Sequence, residues 1–573
     1  MRANLALIVV LGAVGAACAG RATPQPSPAP TASGPTRTPP PTATVIVTPT
    51  EESNQDRPKP GLPLPSETDD LFATSGICGP CHTGLIDDGG NDVSIETAWR
   101  ASMMANAARD PFWLAVVEAE VGANPERRSE IEGNCSTCHM PMASFSDKFL
   151  GRQPNILEGG YLDSANAMHN MALDGVSCSL CHQVRAEGLG SASSYDGGYQ
   201  IDTTTRMGAR SVYGPYTVDP DQSDLMQTAS GFVPIQGLHL AQAEMCATCH
   251  TTFTPEAPGG TAPVAVDASY FEWFYSDYRY SQSCQDCHMP DAYRGARIAV
   301  TSRFPRSPFA EHTFTGGNAA MLRVMRAFGE PLGVTASDQA FDVSVAQTEE
   351  LLGSDTADVK FENARLSGSR LTVDIVVESI TGHKFPTGFP SRRAWLHIVI
   401  ADSAGQVRFE SGAVGQDGAI VGDDNDVDQA SVEPHYEAIV SSDQVQVYEA
   451  ILRDGAGRPT TGLADAVGYV KDNRLLPTGY DEDAPNQAIA VYGRAQDDKD
   501  FIGGSDRIQL SVDLGDGPGP FSLSVELLYQ PVGYRWLESL RSLSFPDAAQ
   551  FLEYFSSVTR TDLVASQTIE IGS

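Results

Sequence analysis

Apolar side chains take every second position at Leu371, Val373, Ile375 and Val377. The same period of two runs through Ile508, Leu510, Val512 and Leu514, and through Phe521, Leu523, Val525, Leu527 and Tyr529. Such alternation buries one face of a strand and leaves the other toward water. Ser403-Ala-Gly-Gln406 and Gly515-Asp-Gly-Pro-Gly-Pro520 are turn signals between runs. The pattern predicts an antiparallel β-sandwich over residues 340–573, with a helical tail over about residues 536–554 packed back on the body. Residues 94–109 instead follow a helical period, with Ser94 as N-cap. There Met104 shares a face with Thr97, Ala101, Ala107 and Ala108, while Met103 lies on another face near Trp99.

The amino terminus reads as an export signal: Arg2 precedes an apolar run over residues 5–17, too short to span a bilayer. Gly15-Ala16-Ala17 before Cys18 resembles a bacterial lipobox, with Gly15 where Leu is usual. Residues 1–18 are then a lipoprotein-type signal peptide and Cys18 a lipidated amino terminus. The alternative is cleavage nearby that releases a free protein. Residues 19–67 are rich in Pro, Thr, Ser and Ala, a composition that cannot bury a core, so a disordered linker is expected. At about 3.1 Å per residue it could act as a stalk on the order of 150 Å long. No later run has the apolar length of a membrane helix.

The length, 573 residues, predicts three or four domains. Aromatic residues make up 8% and apolar residues 41%, enough for real cores. With 38 Lys and Arg against 73 Asp and Glu, the formal net charge is −35. That argues against nucleic acid, whose phosphates require cationic side chains. It suits an extracytoplasmic protein, in the periplasm or at the cell surface, that meets a membrane only through its lipid anchor and attracts basic partners.

The cysteines are more specific. Ten of the 11 form five Cys-x-x-Cys pairs, each followed at once by His: Cys78/Cys81-His82, Cys135/Cys138-His139, Cys178/Cys181-His182, Cys246/Cys249-His250 and Cys284/Cys287-His288. This is the attachment signature of c-type haem, with the thiols as thioether donors and the His as proximal iron ligand. Zinc accepts Cys-x-x-Cys knuckles and exported proteins carry disulfides, but neither requires a His after every pair. Five covalent haems follow, in a helical, loop-rich domain over residues 68–335. The fold class is therefore mixed: a mainly α-helical pentahaem domain joined to the sandwich.

Five irons call for five further ligands if all are closed. The remaining histidines are His169, His239, His312, His383, His397 and His435. His169 and His239 shortly precede motifs, His312 lies in a Gly-rich stretch after the last one, and His383 lies in the loop Thr381-Gly-His-Lys-Phe-Pro-Thr-Gly388. With Met104 they make five candidate distal ligands; the alternative for Met104 is core filler. His397 lies inside a strand-like run and reads as a sheet histidine; His435 also leans structural.

The chain resembles the exported multihaem cytochromes c that include hydroxylamine oxidoreductase and the tetrahaem cytochrome of nitrifiers, within them a branch with a β-rich carboxy-terminal domain. The resemblance spans about residues 72–540. It rests on residues 99–111 (Trp-Arg-Ala-Ser-Met-Met-Ala-Asn-Ala-Ala-Arg-Asp-Pro), Asp174-Gly-Val-Ser-Cys178, Ser283-Cys-Gln-Asp-Cys-His-Met-Pro290, His312-Thr-Phe-Thr-Gly-Gly-Asn318 and Gly382-His-Lys-Phe-Pro-Thr-Gly388. Many relatives carry a distal His where Met104 stands, so the resemblance implies an iron ligand there by position alone. It does not carry over the enzymatic role of hydroxylamine oxidoreductase, which has eight haems. Pentahaem nitrite reductase typically replaces one motif His by Lys, and all five here are His.

Residues 417–428 hold five Asp and one Asn with two turn glycines. A solvated acidic loop is the first reading and a Ca2+ loop the alternative, although the spacing is not that of an EF-hand. No nucleophile-and-base constellation and no nucleotide loop are found, so no catalytic residue is named. Electron transfer is the leading expectation, with basic redox proteins, other cytochromes among them, as partners steered by the acidic surface. A haem enzyme with one open iron, acting on small nitrogen or sulfur compounds, is the alternative, and an adhesion module carried by the β-rich part is a third.

Overall fold

The alternating runs pair with one another. In the computed structural model, which describes residues 59–254, 263–480 and 486–572, strands Arg370–Ser379 and Ser505–Asp513 are antiparallel, with Leu371, Val373 and Ile375 opposite Val512, Leu510 and Ile508. Strands Arg393–Ala401 and Phe521–Gln530 are likewise antiparallel, with Leu396, Ile398 and Ile400 opposite Leu527, Val525 and Leu523. These twelve side chains belong to one shared core and all but Val512 are wholly buried. At about 1.5–3 kcal/mol for each fully buried Leu, Ile or Val, this is the main source of stability in the β-rich half.

Two sheets face that core. One has the strand order Ala357–Ser367, Arg370–Ser379, Ser505–Asp513, Ala438–Ile439. The other runs Pro459–Thr460, Val447–Arg453, Arg393–Ala401, Phe521–Gln530, Asp562–Ile571, with Gly468–Asp472 and Val407–Ser411 attached beside it. All pairings are antiparallel except the short one between Ala438–Ile439 and Ser505–Asp513. The edge strand Asp562–Ile571 follows the helical tail and escaped the sequence pattern, because only part of it alternates.

The tail is two helices, Tyr534–Arg541 and Pro546–Ser556. Trp536, Leu537, Leu540, Phe551 and Phe555 pack with Phe112, Ala115 and Val116 of helix Pro111–Ala123 and with Met321 and Leu322 of helix Ala319–Ala327. The carboxy-terminal helices thus clamp the helical half, and the described residues form a single compact unit. The expected boundary at residue 340 falls inside helix Asp338–Ser354.

Two further expectations change. The helix over residues 94–109 stops at Arg100 and continues as turns. Asn106 explains the stop: its amide donates to the carbonyls of Arg100 at 3.0 Å and Ser102 at 2.9 Å, in place of a helical ladder. Ser94 holds the N-cap position but uses its hydroxyl to accept from Leu85 N. The linker also ends earlier than residue 67. Leu62 N donates to Thr335 O at 2.8 Å and Asp338 N to Lys59 O at 3.2 Å, so the stretch from residue 59 lies against the body. The signal sequence, Cys18 and most of the linker lie outside the described residues. Among the described residues no helix is long and apolar enough to cross a membrane.

Candidate haem-binding site

Each Cys-x-x-Cys-His motif sits on a helical turn: Gly79–His82, the end of Arg128–His139, Cys178–Cys181, Ala243–Ala247 with its following turn, and Cys284–His288. Helical periodicity explains the spacing. A second Cys three residues on and a His four residues on return to the face of the first Cys. The ten cysteines are free thiols, open to thioether formation.

The motif histidines share a pattern of anchoring. Nδ1–H of His82 donates to Ile298 O at 2.6 Å, of His139 to Ala107 O at 3.1 Å, of His182 to Tyr213 O at 2.6 Å and of His288 to Thr315 O at 2.5 Å. A neutral imidazole with its proton on Nδ1 keeps a lone pair on Nε2, the state a metal ligand needs. The fifth, His250, donates from Nδ1 to the Asp267 carboxylate at 3.2 Å. Burial pushes His82 and His182 down from the ordinary imidazole value, and His139 and His288 to about 4. Burial works against a charge on His250 too, but Asp267 prevails and lifts it to about 9, while the Asp267 carboxyl falls below the usual range.

Two candidate distal histidines face motif histidines. His182 and His312 have ring centroids 6.3 Å apart with planes at 13°; His288 and His383 have centroids 6.2 Å apart, also at 13°. With metal–nitrogen bonds of about 2.0 Å and each nitrogen about 1.2 Å from its ring centroid, two imidazoles that held one metal between them would have centroids about 6.4 Å apart. His312 donates from Nδ1 to Ala310 O and His383 from Nδ1 to Lys384 O, which frees Nε2 in both. Donor type, tautomer and separation therefore fit an iron porphyrin at these pairs. His169 is anchored in the same sense, Nδ1 to Tyr161 O at 2.8 Å. His239 is reversed: its Nε2 bonds Val184 O at 2.8 Å, and Nδ1 is the free nitrogen. Gly237 makes room for it, since a Cβ there would meet His239 Cε1 at 2.7 Å. Met104 stands half-buried in the turn segment after Arg100 rather than on a helix face, so the small-residue face expected around it is not formed.

The motifs are close neighbours. The thiols of Cys78 and Cys178 lie within hydrogen-bonding reach of each other, as do those of Cys138 and Cys249, and of Cys246 and Cys284. Cys181 lies within electrostatic reach of Cys246 and Cys249. Numbered by motif, sites 1 and 3 adjoin, site 3 approaches site 4, and site 4 adjoins both 2 and 5. Asp174 ties the first of these contacts together. Its carboxylate accepts from Ser75 N at 2.7 Å, Ser75 Oγ at 2.6 Å and Ser177 Oγ at 2.5 Å, just ahead of Cys78 and Cys178.

The His383 loop is held from both halves of the molecule. Glu272, on helix Ser269–Phe274, accepts from Lys384 N at 3.1 Å and Thr387 Oγ1 at 2.5 Å. Lys384 Nζ reaches Asp472 at 3.0 Å, and Arg474 pairs with both Asp472 and Glu272. Lys384, Asp472 and Glu272 are wholly buried. Sequence reasoning missed Asp174, Glu272, Asp267 and Lys384 as parts of the site. Only Asp174 and Lys384 had a signal, through the stretches they share with Cys178 and His383.

The remaining histidines are engaged elsewhere. His397 bonds Glu526 at 3.0 Å and Glu410 at 3.1 Å. His435 lies in a buried group with Asp498 and Asp506. Its Nδ1 accepts from Gln446 Nε2 and Asn473 Nδ2, whose amide oxygens accept from Tyr436 N and Glu449 N. The His435 proton therefore sits on Nε2, toward Asp498 at 3.1 Å, which leaves no lone pair for a metal. In the acidic loop, Arg393 pairs with Asp423 at 3.1 Å and Asp426 at 2.8 Å, and their other oxygens accept from Asn425 N and Ile420 N. Arg393 thus already engages two of the carboxylates that a Ca2+ loop would need.

The fold is similar to that of a penta-heme cytochrome c552 from Thermochromatium tepidum, with a TM-score of 0.52 and 16% sequence identity over 88% of this chain and 100% of that one. The likeness is one of fold. No family model matches the chain, and no curated protein matches it.

Proposed function

We propose that the chain is an exported multihaem c-type cytochrome that carries electrons, with five covalent haems. The observation that carries this reading is the pair of His–His separations, 6.3 Å for His182–His312 and 6.2 Å for His288–His383, set beside the five thiol pairs. Cys78, Cys81, Cys135, Cys138, Cys178, Cys181, Cys246, Cys249, Cys284 and Cys287 would hold the porphyrins, with His82, His139, His182, His250 and His288 as proximal ligands. His312 and His383 would close sites 3 and 5. Met104, His169 and His239, the last through Nδ1, remain for sites 1, 2 and 4. Haem, when bound, supplies reversible one-electron chemistry. The residues' own part is to fix each imidazole by a hydrogen bond on its second nitrogen, so that it needs no reorientation when charge changes, and to bring neighbouring sites together. The thiol contacts support an order of sites 1–3–4–5, with 2 beside 4.

A signal peptide and lipidation at Cys18 would tether the protein outside the cytoplasm, facing other redox proteins. The test is the purified protein itself. Its mass and pyridine haemochrome absorbance should give five haems per chain, and the reduced Soret band should not respond to carbon monoxide. Fewer than five haems would sink the assignment. A carbon monoxide shift would mean an open iron and favour a haem enzyme.

A further inference from the structure

Five motif histidines share one task, yet their Nδ1–H groups do not meet the same acceptor. Four donate to backbone carbonyls, and His250 alone donates to a carboxylate, Asp267 Oδ2, at 3.2 Å. The difference is built into the chain. Strand Thr252–Phe253 begins two residues after His250, and its pairing with strand Ala265–Asp267 places Asp267 opposite Thr252. The other oxygen, Asp267 Oδ1, accepts from Ser269 N at 3.0 Å and Ser269 Oγ at 2.7 Å. No arginine or lysine bonds to Asp267 among the described residues, and its one ion-pair partner there is His250.

We propose that Asp267 is a potential-setting residue, which gives His250 anionic character and keeps the haem of site 4 at a lower potential than it would have with a carbonyl partner. The inference rests on the haem-binding reading above. A carboxylate is a stronger acceptor than an amide carbonyl, so it draws the Nδ1 proton further and makes Nε2 a better donor. A more electron-rich axial ligand stabilises the oxidised iron over the reduced one, and hydrogen bonding to an axial ligand is one of the levers by which a protein sets haem potential. Site 4 is where this matters most, because its thiols adjoin those of sites 2 and 5. A lowered potential there places a step at the junction of the array.

The inference extends to a neighbour with the opposite sign. Ser269 Oγ shares the carboxylate's charge, so removing it leaves Asp267 a stronger acceptor for His250. Asp267→Asn should raise the site-4 potential, Asp267→Glu should keep it near wild type, and Ser269→Ala should lower it.

The experiment is a spectroelectrochemical titration of the five-haem protein and these variants, with haem content measured on each sample. The expected result is one component of five moving up in Asp267→Asn and the same component moving down in Ser269→Ala, the others staying in place. If Asp267→Asn loses a haem, the Ser269→Ala shift decides alone. Five haems with no component moving in either variant, or all components moving together, would overturn the inference and leave the haem reading standing. A wild-type count below five would overturn the haem reading instead.

Discussion

The rings of His288 and His383 stand with centroids 6.2 Å apart and planes at 13°, although one belongs to the last Cys-x-x-Cys-His motif and the other to a loop between strands of the β-rich half. If they share an iron, that metal joins the two halves. His383→Ala should then open one site in five, so that about a fifth of the reduced Soret band responds to carbon monoxide. His397→Ala, at a histidine bonded on both nitrogens to Glu526 and Glu410, should leave the spectrum unchanged. Difference spectra of the two variants, before and after carbon monoxide, check this.

The ion network behind His383 should matter for stability. Lys384 lies wholly buried between Asp472 Oδ2 at 3.0 Å and Ala490 O at 3.2 Å. Lys384→Met removes one cation from a group in which Asp472 and Glu272 share only Arg474 besides. Breaking one partner of a buried pair costs about 3–5 kcal/mol, because a desolvated charge is left over. At the exposed pair Lys360–Glu378, Lys360→Met should cost no more than about 1 kcal/mol. Guanidinium unfolding followed by far-ultraviolet circular dichroism separates the two.

Gly175, in the stretch Asp174-Gly-Val-Ser-Cys178, has φ +64°, and a Cβ on it would meet Ala105 O at 2.5 Å. Gly175→Ala should cost more than the roughly 1–2 kcal/mol of left-handed backbone alone, because the Asp174 carboxylate that joins Ser75 to Ser177 must shift with it. Gly151→Ala, at φ +72° with open space around it, should cost only that backbone term. Unfolding midpoints of both variants, with haem per chain for Gly175→Ala, test the difference.

What could be read from the chain was local or periodic. The motifs lie within one helical turn, and strands Arg370–Ser379, Ser505–Asp513 and Phe521–Gln530 alternate because one face of each is buried, whereas the inner strand Val447–Arg453, buried on both faces, shows no such period. The edge strand Asp562–Ile571 was missed because several of its alternate positions face water. The segment after Arg100 had helical spacing, but spacing does not reveal that Asn106 takes the carbonyls of Arg100 and Ser102. Which distal histidine faces which motif was beyond sequence, since those pairs form only in the folded chain. Asp267 was invisible for a related reason: it is the polar end of an ordinary strand until the pairing with Thr252 turns it to His250.

Asp110 gives the chain a pH dependence that can be isolated. It caps helix Pro111–Ala123, accepting from Phe112 N at 2.9 Å and Trp113 N at 3.4 Å. Burial raises its carboxyl to about 6, against the opposing effect of those bonds and of Arg392. The folded chain therefore holds this proton more tightly than the unfolded chain, whose carboxyl titrates near 4. The stability it contributes is fully present below about pH 4 and is lost as the pH rises through 6. Asp110→Asn keeps a capping oxygen without the charge. The variant should match wild type near pH 4 and exceed it at pH 7, by an amount on the order of 2–3 kcal/mol. Urea midpoints of both proteins between pH 4 and 7.5 read the difference directly, and two parallel curves would show that Asp110 titrates alike in the folded and unfolded chain.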